Sequence, residues 1–330
     1  MSVVRWGVLG AAAIARRAVI PGLQRSSYNE VVALASRDRR RAREVASLLG
    51  IARSYGSYEE LLADSEVDAI YNPLPNHLHV PWTLRALEAG KHVLCEKPIA
   101  LDGDEAVRLL EASRRFPALK VMEAFMYRFH PQWQRTVELV RGGEVGRLRT
   151  VQSTFTYHKT DPTDIRNRRD AGGGGMLDIG CYCVSLSRLL WGSEPLRVLG
   201  IVEFDPDLLV DRSAWALLEF AGGTATFTCA TQLQPYQRVQ VLGDGGRLEV
   251  VRPFNAPADA ELPLILEQGS RSEEILIPAA DQYQLQGDAF ARAVLEDLPV
   301  PTPLADAVAN MRVIDAVFES ARRQEWVELD

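Results

Sequence analysis

The chain has 330 residues, 47% hydrophobic and 25% charged, with 37 Lys plus Arg against 44 Asp plus Glu and a net charge of -7. At ~150 residues per domain that length predicts about two globular domains, and the composition excludes a disordered chain or a coiled coil. The acidic balance excludes nucleic-acid binding through bulk charge, and no apolar run approaches the ~20 residues that span a bilayer.

In chain order, Val3–Leu9 reads as a buried first strand that runs into Gly10. No signal peptide is expected there, because the apolar stretch is short and leads straight into a turn. Ala12–Leu23 is helix-like, Glu30–Ala35 a second strand, and Arg39–Leu49 a helix stopped by Gly50. Val67–Tyr71 is a third strand, Leu78–Ala89 a helix ended by Gly90, and His92–Cys95 a fourth strand. Asp104–Arg115 and Leu119–Met122 add a helix and a strand. Strands alternating with helices predict a parallel sheet, since parallel neighbours need crossovers.

After about residue 124 the pattern changes. Strand-like runs occur at Leu148–Tyr157, Leu196–Phe204, Ala214–Phe220, Thr224–Thr231, Arg238–Leu242 and Arg247–Val251, several joined by glycine turns. Helix-like segments lie at Pro131–Arg141, Leu177–Leu190, Gln284–Glu296 and Ala305–Arg323. The expected architecture is α/β: an N-terminal Rossmann dinucleotide-binding domain over 1–123, then a C-terminal α/β domain over 124–330 with a large, mostly antiparallel open sheet. Four cysteines, Cys95, Cys181, Cys183 and Cys229, form no Cys-x-x-Cys pair. They read as free buried thiols of a cytoplasmic protein rather than a disulfide framework or zinc site.

The segment Gly10-Ala11-Ala12-Ala13-Ile14-Ala15 stands at the first strand-to-helix turn. It is a degenerate form of the Gly-x-Gly-x-x-Gly/Ala fingerprint, with a methyl at Ala12 where hydrogen is usual. Such a turn needs small residues so that backbone N–H groups and the helix start approach a pyrophosphate. At the end of the second strand, where an acid would bind the ribose of NAD, Ser36 and Arg37 stand instead. A guanidinium suits the 2′-phosphate of NADP, so NADP is the expected cofactor, with NAD possible. The competing reading makes Arg37 and Arg39 solvated charges and Asp38 the N-cap of the next helix.

Three further stretches carry a resemblance. They are Asn72-Pro73-Leu74-Pro75-Asn76-His77-Leu78-His79, then Glu96-Lys97-Pro98, then Asp178-Ile179-Gly180-Cys181-Tyr182. With the fingerprint, Tyr127-Arg128-Phe129 and the glycines Gly172–Gly175, the chain resembles the glucose–fructose oxidoreductase/inositol dehydrogenase (Gfo/Idh/MocA) family over nearly its whole length. Tyrosine at 182 resembles the subgroup that holds NADP-dependent D-xylose and glucose dehydrogenases, whereas inositol dehydrogenase-like members usually carry histidine there. The resemblance implies oxidation of a sugar or polyol, aldopyranose at C1 to lactone in the leading case. Reduction of a nucleotide keto-sugar and oxidation of a trans-dihydrodiol are the alternatives, and an NADP-binding sensor is the non-enzymatic one. It also implies that Asn72, Pro73, Leu74, Asn76, His79, Glu96, Arg128 and Arg166 join Gly10, Ala12, Ala13, Ile14, Ser36 and Arg37 around the cofactor. The large sheet would form a homodimer or homotetramer interface, and no metal is expected.

The chemistry needs a base for the hydroxyl proton as hydride leaves carbon. A free tyrosine, with pKa near ~10, is too weakly acidic until an ammonium stabilises its phenolate. Lys97, after the fourth strand, is the expected electrostatic partner and hydroxyl anchor, and Tyr182 the general acid/base. Asp178, four residues earlier, shares a face with Tyr182 if that segment is helical, and would orient the substrate or steady the lysine. The competing readings are a surface lysine, a core tyrosine and an N-cap aspartate.

Overall fold

The computed structural model describes residues 2–329, and the chain divides into two units, Met1–Met126 with Gln282–Val308, and Tyr127–Asp281 with Ala309–Asp330.

The first unit holds a six-stranded sheet: β1 (Val4–Leu9), β2 (Asn29–Ala35), β3 (Arg53–Tyr55), β4 (Ala69–Asn72), β5 (His92–Cys95) and β6 (Val121–Glu123). The order is β3-β2-β1-β4-β5-β6, and every pairing is parallel. Helices cover both faces of such a sheet, so its central strands are apolar throughout; Trp6, Val8, Leu9, Ala33, Leu34, Ile70 and Tyr71 are all fully buried. β3 is the strand that the apolar pattern does not announce, because all three of its residues are only partly buried. A π-helical turn, Ala15–Val19, leads into α1 (Ile20–Gln24). Then follow α2 (Arg39–Leu48), α3 (Tyr58–Leu62), α4 (His79–Glu88) and α5 (Gly103–Ser113). Asp38, Ser57 and Asp102 cap α2, α3 and α5, their side-chain oxygens accepting first-turn N–H groups.

The first unit breaks after Met126 and is not contiguous: Gln282–Val308 belongs with it. The reason is packing. Phe290 is fully buried and its ring centroid lies 5.3 Å from that of Trp6. Trp6 Nε1 donates to Asn29 Oδ1 at 2.8 Å, and Asn29 Nδ2 donates to Asp288 Oδ1 at 3.1 Å. Sequence periodicity identifies this helix but not the sheet against which its apolar face is buried.

The second unit adds α6 (Pro131–Arg141), β7 (Leu148–His158) and α7 (Cys181–Trp191), the last preceded by a π-helical turn, Met176–Gly180. Its remaining strands are β8 (Arg197–Phe204), β9 (Asp211–Phe220), β10 (Gly223–Ala230), β11 (Gln232–Gly243), β12 (Arg247–Val250), β13 (Leu262–Gln268), β14 (Arg271–Ile277) and β15 (Val327–Glu328). They form one nine-stranded sheet of order β14-β13-β12-β11-β7-β10-β9-β8-β15, antiparallel except between β7 and β10. The hairpin β13–β14 and the edge strand β15 are additions to the expected set. β14 alternates too weakly to be read from the sequence, since most of it is exposed or half-buried. No described helix is long and apolar enough to cross a membrane.

Candidate active site

In the first unit the β1 turn ends at Gly10, whose N–H donates to Ala35 O at 2.8 Å. Gly10 has φ +86°, a conformation that L residues rarely adopt. A methyl there would stand 3.2 Å from Leu74 and 3.6 Å from the Tyr58 hydroxyl. The helical run beyond Ala12, Ala13 and Ile14 has no acidic residue in its first turn, so nothing of like charge opposes an anion at this turn.

Asp38 is the N-cap of α2, accepting the Arg40 and Arg41 N–H groups at 2.8 and 3.2 Å. The Ser36 hydroxyl accepts the Asp38 N–H at 3.3 Å. The arginines of this run differ in their partners. Arg39 is paired with Glu60 at 2.6 Å, and Arg40 and Arg41 lie at 3.7 and 3.6 Å from Glu44. Arg37 instead stands near the Tyr58 hydroxyl, whose pKa is pushed up by burial against the pull of that guanidinium. Tyr58 meets Trp82 edge-on with centroids 4.8 Å apart, and Arg85 lies over Trp82 at 4.5 Å. Gly10, Leu74, Tyr58 and Arg37 thus come together at one edge of the sheet. Sequence reading missed Tyr58, which carries no motif.

The loop after β4 is braced from within. Asn72 is fully buried; its Nδ2 donates to His79 O at 3.1 Å and its Oδ1 accepts the Leu74 N–H at 3.3 Å. The His79 imidazole is 1% exposed, with Nδ1 and Nε2 each 2.7 Å from a carbonyl, of Pro98 and Leu74. Two carbonyls favour the imidazolium, yet burial outweighs them and pulls His79 down to about 4. The side chains of Asn72 and His79 point inward and tie the 72–79 loop to the segment after β5. Pro73 and Leu74 are buried, while Asn76 is half-exposed.

After β5, Glu96 Oε1 accepts the Tyr71 hydroxyl at 2.6 Å, and Glu96 Oε2 accepts the Lys97 N–H at 3.4 Å. Lys97 is half-buried at the carboxyl end of the parallel sheet, the edge where such folds bind ligands.

In the second unit, Met176–Gly180 and α7 form one helical run, so Asp178 and Tyr182 stand on a helix as expected, with its first turn widened to π. Such turns recur at functional sites. Tyr157, from β7, donates its hydroxyl to Asp178 Oδ2 at 2.6 Å, and Arg166 Nε donates to the same oxygen at 3.2 Å. Burial and the Asp178 carboxylate hold the Tyr157 hydroxyl well above its ordinary pKa, and Asp178 in turn raises that of Arg166. Of the arginines before the glycine run, Arg166 thus meets Asp178, whereas Arg168 is engaged with Asp170. Tyr182 is 5% exposed, its ring 5.3 Å from Phe254 and 5.8 Å from both Tyr127 and Phe155. Arg128 turns to α7, its Nη2 donating to Ser185 Oγ at 2.7 Å. Tyr157 was missed because its partner lies in a distant segment. Among the described residues no group of three His, Cys, Asp or Glu side chains could hold a metal ion.

Comparison with known proteins identifies both halves of the chain. Residues 4–123 match the family model described as "Oxidoreductase family, NAD-binding Rossmann fold", and residues 133–249 match the GFO/IDH/MocA C-terminal domain. A D-xylose 1-dehydrogenase (NADP(+)) of Haloferax volcanii is 40% identical over 98% of this chain and 99% of its own. The human trans-1,2-dihydrobenzene-1,2-diol dehydrogenase is 33% identical over 78% of this chain and 77% of its own. Among solved structures, a 3-ketoreductase from Actinomadura kijaniata, crystallised with NADP and TDP-benzene, superposes with a TM-score of 0.92 at 34% identity, covering 97% of this chain and 98% of that one. Sequence matches to both halves, and full-length likeness in sequence and fold, establish that the chain is an oxidoreductase of the Gfo/Idh/MocA family.

Proposed function

We propose that the protein is an NADP-dependent dehydrogenase that oxidises an aldopyranose such as D-xylose or D-glucose at C1 to the lactone. One observation carries the reading furthest: 40% identity along the full length of a D-xylose 1-dehydrogenase that uses NADP. The Gly10 turn fits a dinucleotide, because its glycine conformation and the lack of a first-turn acid leave room and charge for a pyrophosphate. Arg37, facing a tyrosine hydroxyl where its neighbours face carboxylates, is the group to meet a 2′-phosphate. When bound, the nicotinamide supplies the hydride acceptor.

The protein's own residues supply the rest. Tyr182 takes the proton of the substrate hydroxyl, and the Lys97 ammonium stabilises the phenolate and anchors that hydroxyl. Asp178, held by Tyr157 and Arg166, orients a neighbouring sugar hydroxyl. Glu96 steadies the Lys97 backbone. The test is a panel of aldoses, sugar nucleotides and trans-dihydrodiols with both nicotinamides. Fastest turnover of an aldose with NADP is expected. A preference for keto-sugar nucleotide reduction, favoured by the likeness to the Actinomadura enzyme, would replace this reading.

The same reading makes the protein a homodimer or homotetramer through the open face of the nine-stranded sheet. Supporting it, Ile201, Trp215 and Tyr236 are exposed there. Ile201, Trp215 and Tyr236, with Thr154 and Arg238, also line a groove of about 530 Å³ that none of the candidate site residues touches. A monomer by light scattering would count against it. The setting is the cytoplasm, where the buried free thiols Cys95, Cys181, Cys183 and Cys229 stay reduced.

A further inference from the structure

Asp211 opens β9, is 3% exposed, and takes no part in the chemistry assigned above. Its Oδ2 accepts the Met176 N–H at 2.6 Å, and Gly175 lies beside the same carboxyl, where a methyl on it would stand 3.4 Å from Oδ2. The carboxyl fills the space beside Gly174. That glycine has φ +122°, and a methyl on it would stand 1.9 Å from Asp211 Oδ1. Gly174 is itself a junction. Its N–H donates to Arg166 O at 2.8 Å, and its carbonyl accepts the Asp178 N–H at 3.0 Å. Whatever fixes Gly174 fixes both ends of the Arg166–Asp178 pair, together with the turn that leads to Tyr182.

We propose that Asp211 is a positioning residue for Asp178 and Tyr182: its carboxyl seats the Gly174–Met176 segment and so sets the first turn of the helix that carries both groups. The kinetic consequence rests on the dehydrogenase reading; the structural one does not. A carboxyl accepting backbone N–H groups at a helix start is a favourable arrangement. Burial pushes Asp211 up to about 7 against those donors, and its titratable neighbours are Asp178 on the helix start and Cys229 in β10. Proton loss near neutrality therefore places a charge beside Asp178.

Asp211→Asn keeps the shape but offers one acceptor oxygen in place of a pair, and no charge. Gly174→Ala attacks the same contact from the other side. In the full-length protein, hydrogen–deuterium exchange over residues 174–182 is expected to accelerate about 10-fold or more in both variants, with β1 to β6 unchanged. With NADP and the preferred aldose, kcat falls roughly 10- to 100-fold while the NADP dissociation constant stays within about threefold. The neutral limb of the kcat/KM profile shifts in Asp211→Asn. Unchanged exchange in that segment, or activity lost only in proportion to unfolded protein with an unaltered pH profile, overturns the assignment. If the wild-type protein oxidises no aldose, the dehydrogenase reading fails instead, and the exchange measurement still decides the role of Asp211.

Discussion

The two units open their key helices in the same way and use the opening differently. Each has a glycine at positive φ, Gly10 or Gly174, followed by a π-helical turn. At Gly10 the helical turn that follows holds no acid, and a methyl on the glycine would meet Leu74 and the Tyr58 hydroxyl. At Gly174 a buried carboxyl from β9 already occupies the helix start. A helix start attracts one anion. The Gly10 turn thus has room for a ligand's anion, whereas at Gly174 the Asp211 carboxyl already takes the backbone N–H group of the helix start.

That contrast is sharpest in catalysis. Tyr182→Phe is expected to lower kcat at least ~100-fold, since a general acid/base contributes that much, with NADP binding unchanged by fluorescence titration. Retention of a tenth of turnover would move the acid/base role elsewhere. Arg37→Ala should do the converse. Loss of a charge-assisted hydrogen bond, ~1.5–3 kcal/mol, predicts roughly a 10- to 100-fold fall in kcat/KM for NADP and little change for NAD. An unaltered NADP-to-NAD ratio would break the comparison at the first unit. Tyr157→Phe removes one of the groups that hold Asp178, and a roughly tenfold rise in KM for the sugar is expected by initial-rate kinetics.

The smallest effects are on stability, and they run in opposite directions in the two units. His79 is held down to about 4 when folded. The unfolded chain takes that proton near ~6.5, so its contribution is present above that value and is lost as pH falls toward 4. Asp211 is pushed up to about 7. The folded state keeps a proton that the unfolded chain loses near ~3.9, so its contribution is present below that value and is lost as pH rises through 7. Thermal unfolding across this range should show the acid limb flattened in His79→Gln and the neutral limb flattened in Asp211→Asn. Parallel curves for wild type and variant would refute either assignment.

What could be read from the sequence follows from the same contrast. The parallel sheet, the Gly10 turn and the Asp38 cap are local, because backbone devices leave their signature within a few residues. A glycine run marked the loop of Arg166, but its pairing with Asp178 joins two segments and was not legible. Tyr58, Tyr157 and Asp211 were not legible: each meets its partner across a fold, and none sits in a pattern that distinguishes it from a core or surface residue. His79 is the reverse case. Its motif was legible, but whether the imidazole faces a ligand or the loop interior depends on the Pro98 carbonyl, which only the folded chain brings near.

The return of Gln282–Val308 to the first unit bears on how the protein is made. The Asn29–Asp288 contact spans 259 positions, so the nucleotide-binding sheet cannot gain its final cover until most of the polypeptide has left the ribosome. Until then the Trp6 side of that sheet lacks its Phe290 neighbour and offers a sticky surface. Early release or a nonsense truncation should therefore send even the amino-terminal half toward chaperones or inclusion bodies.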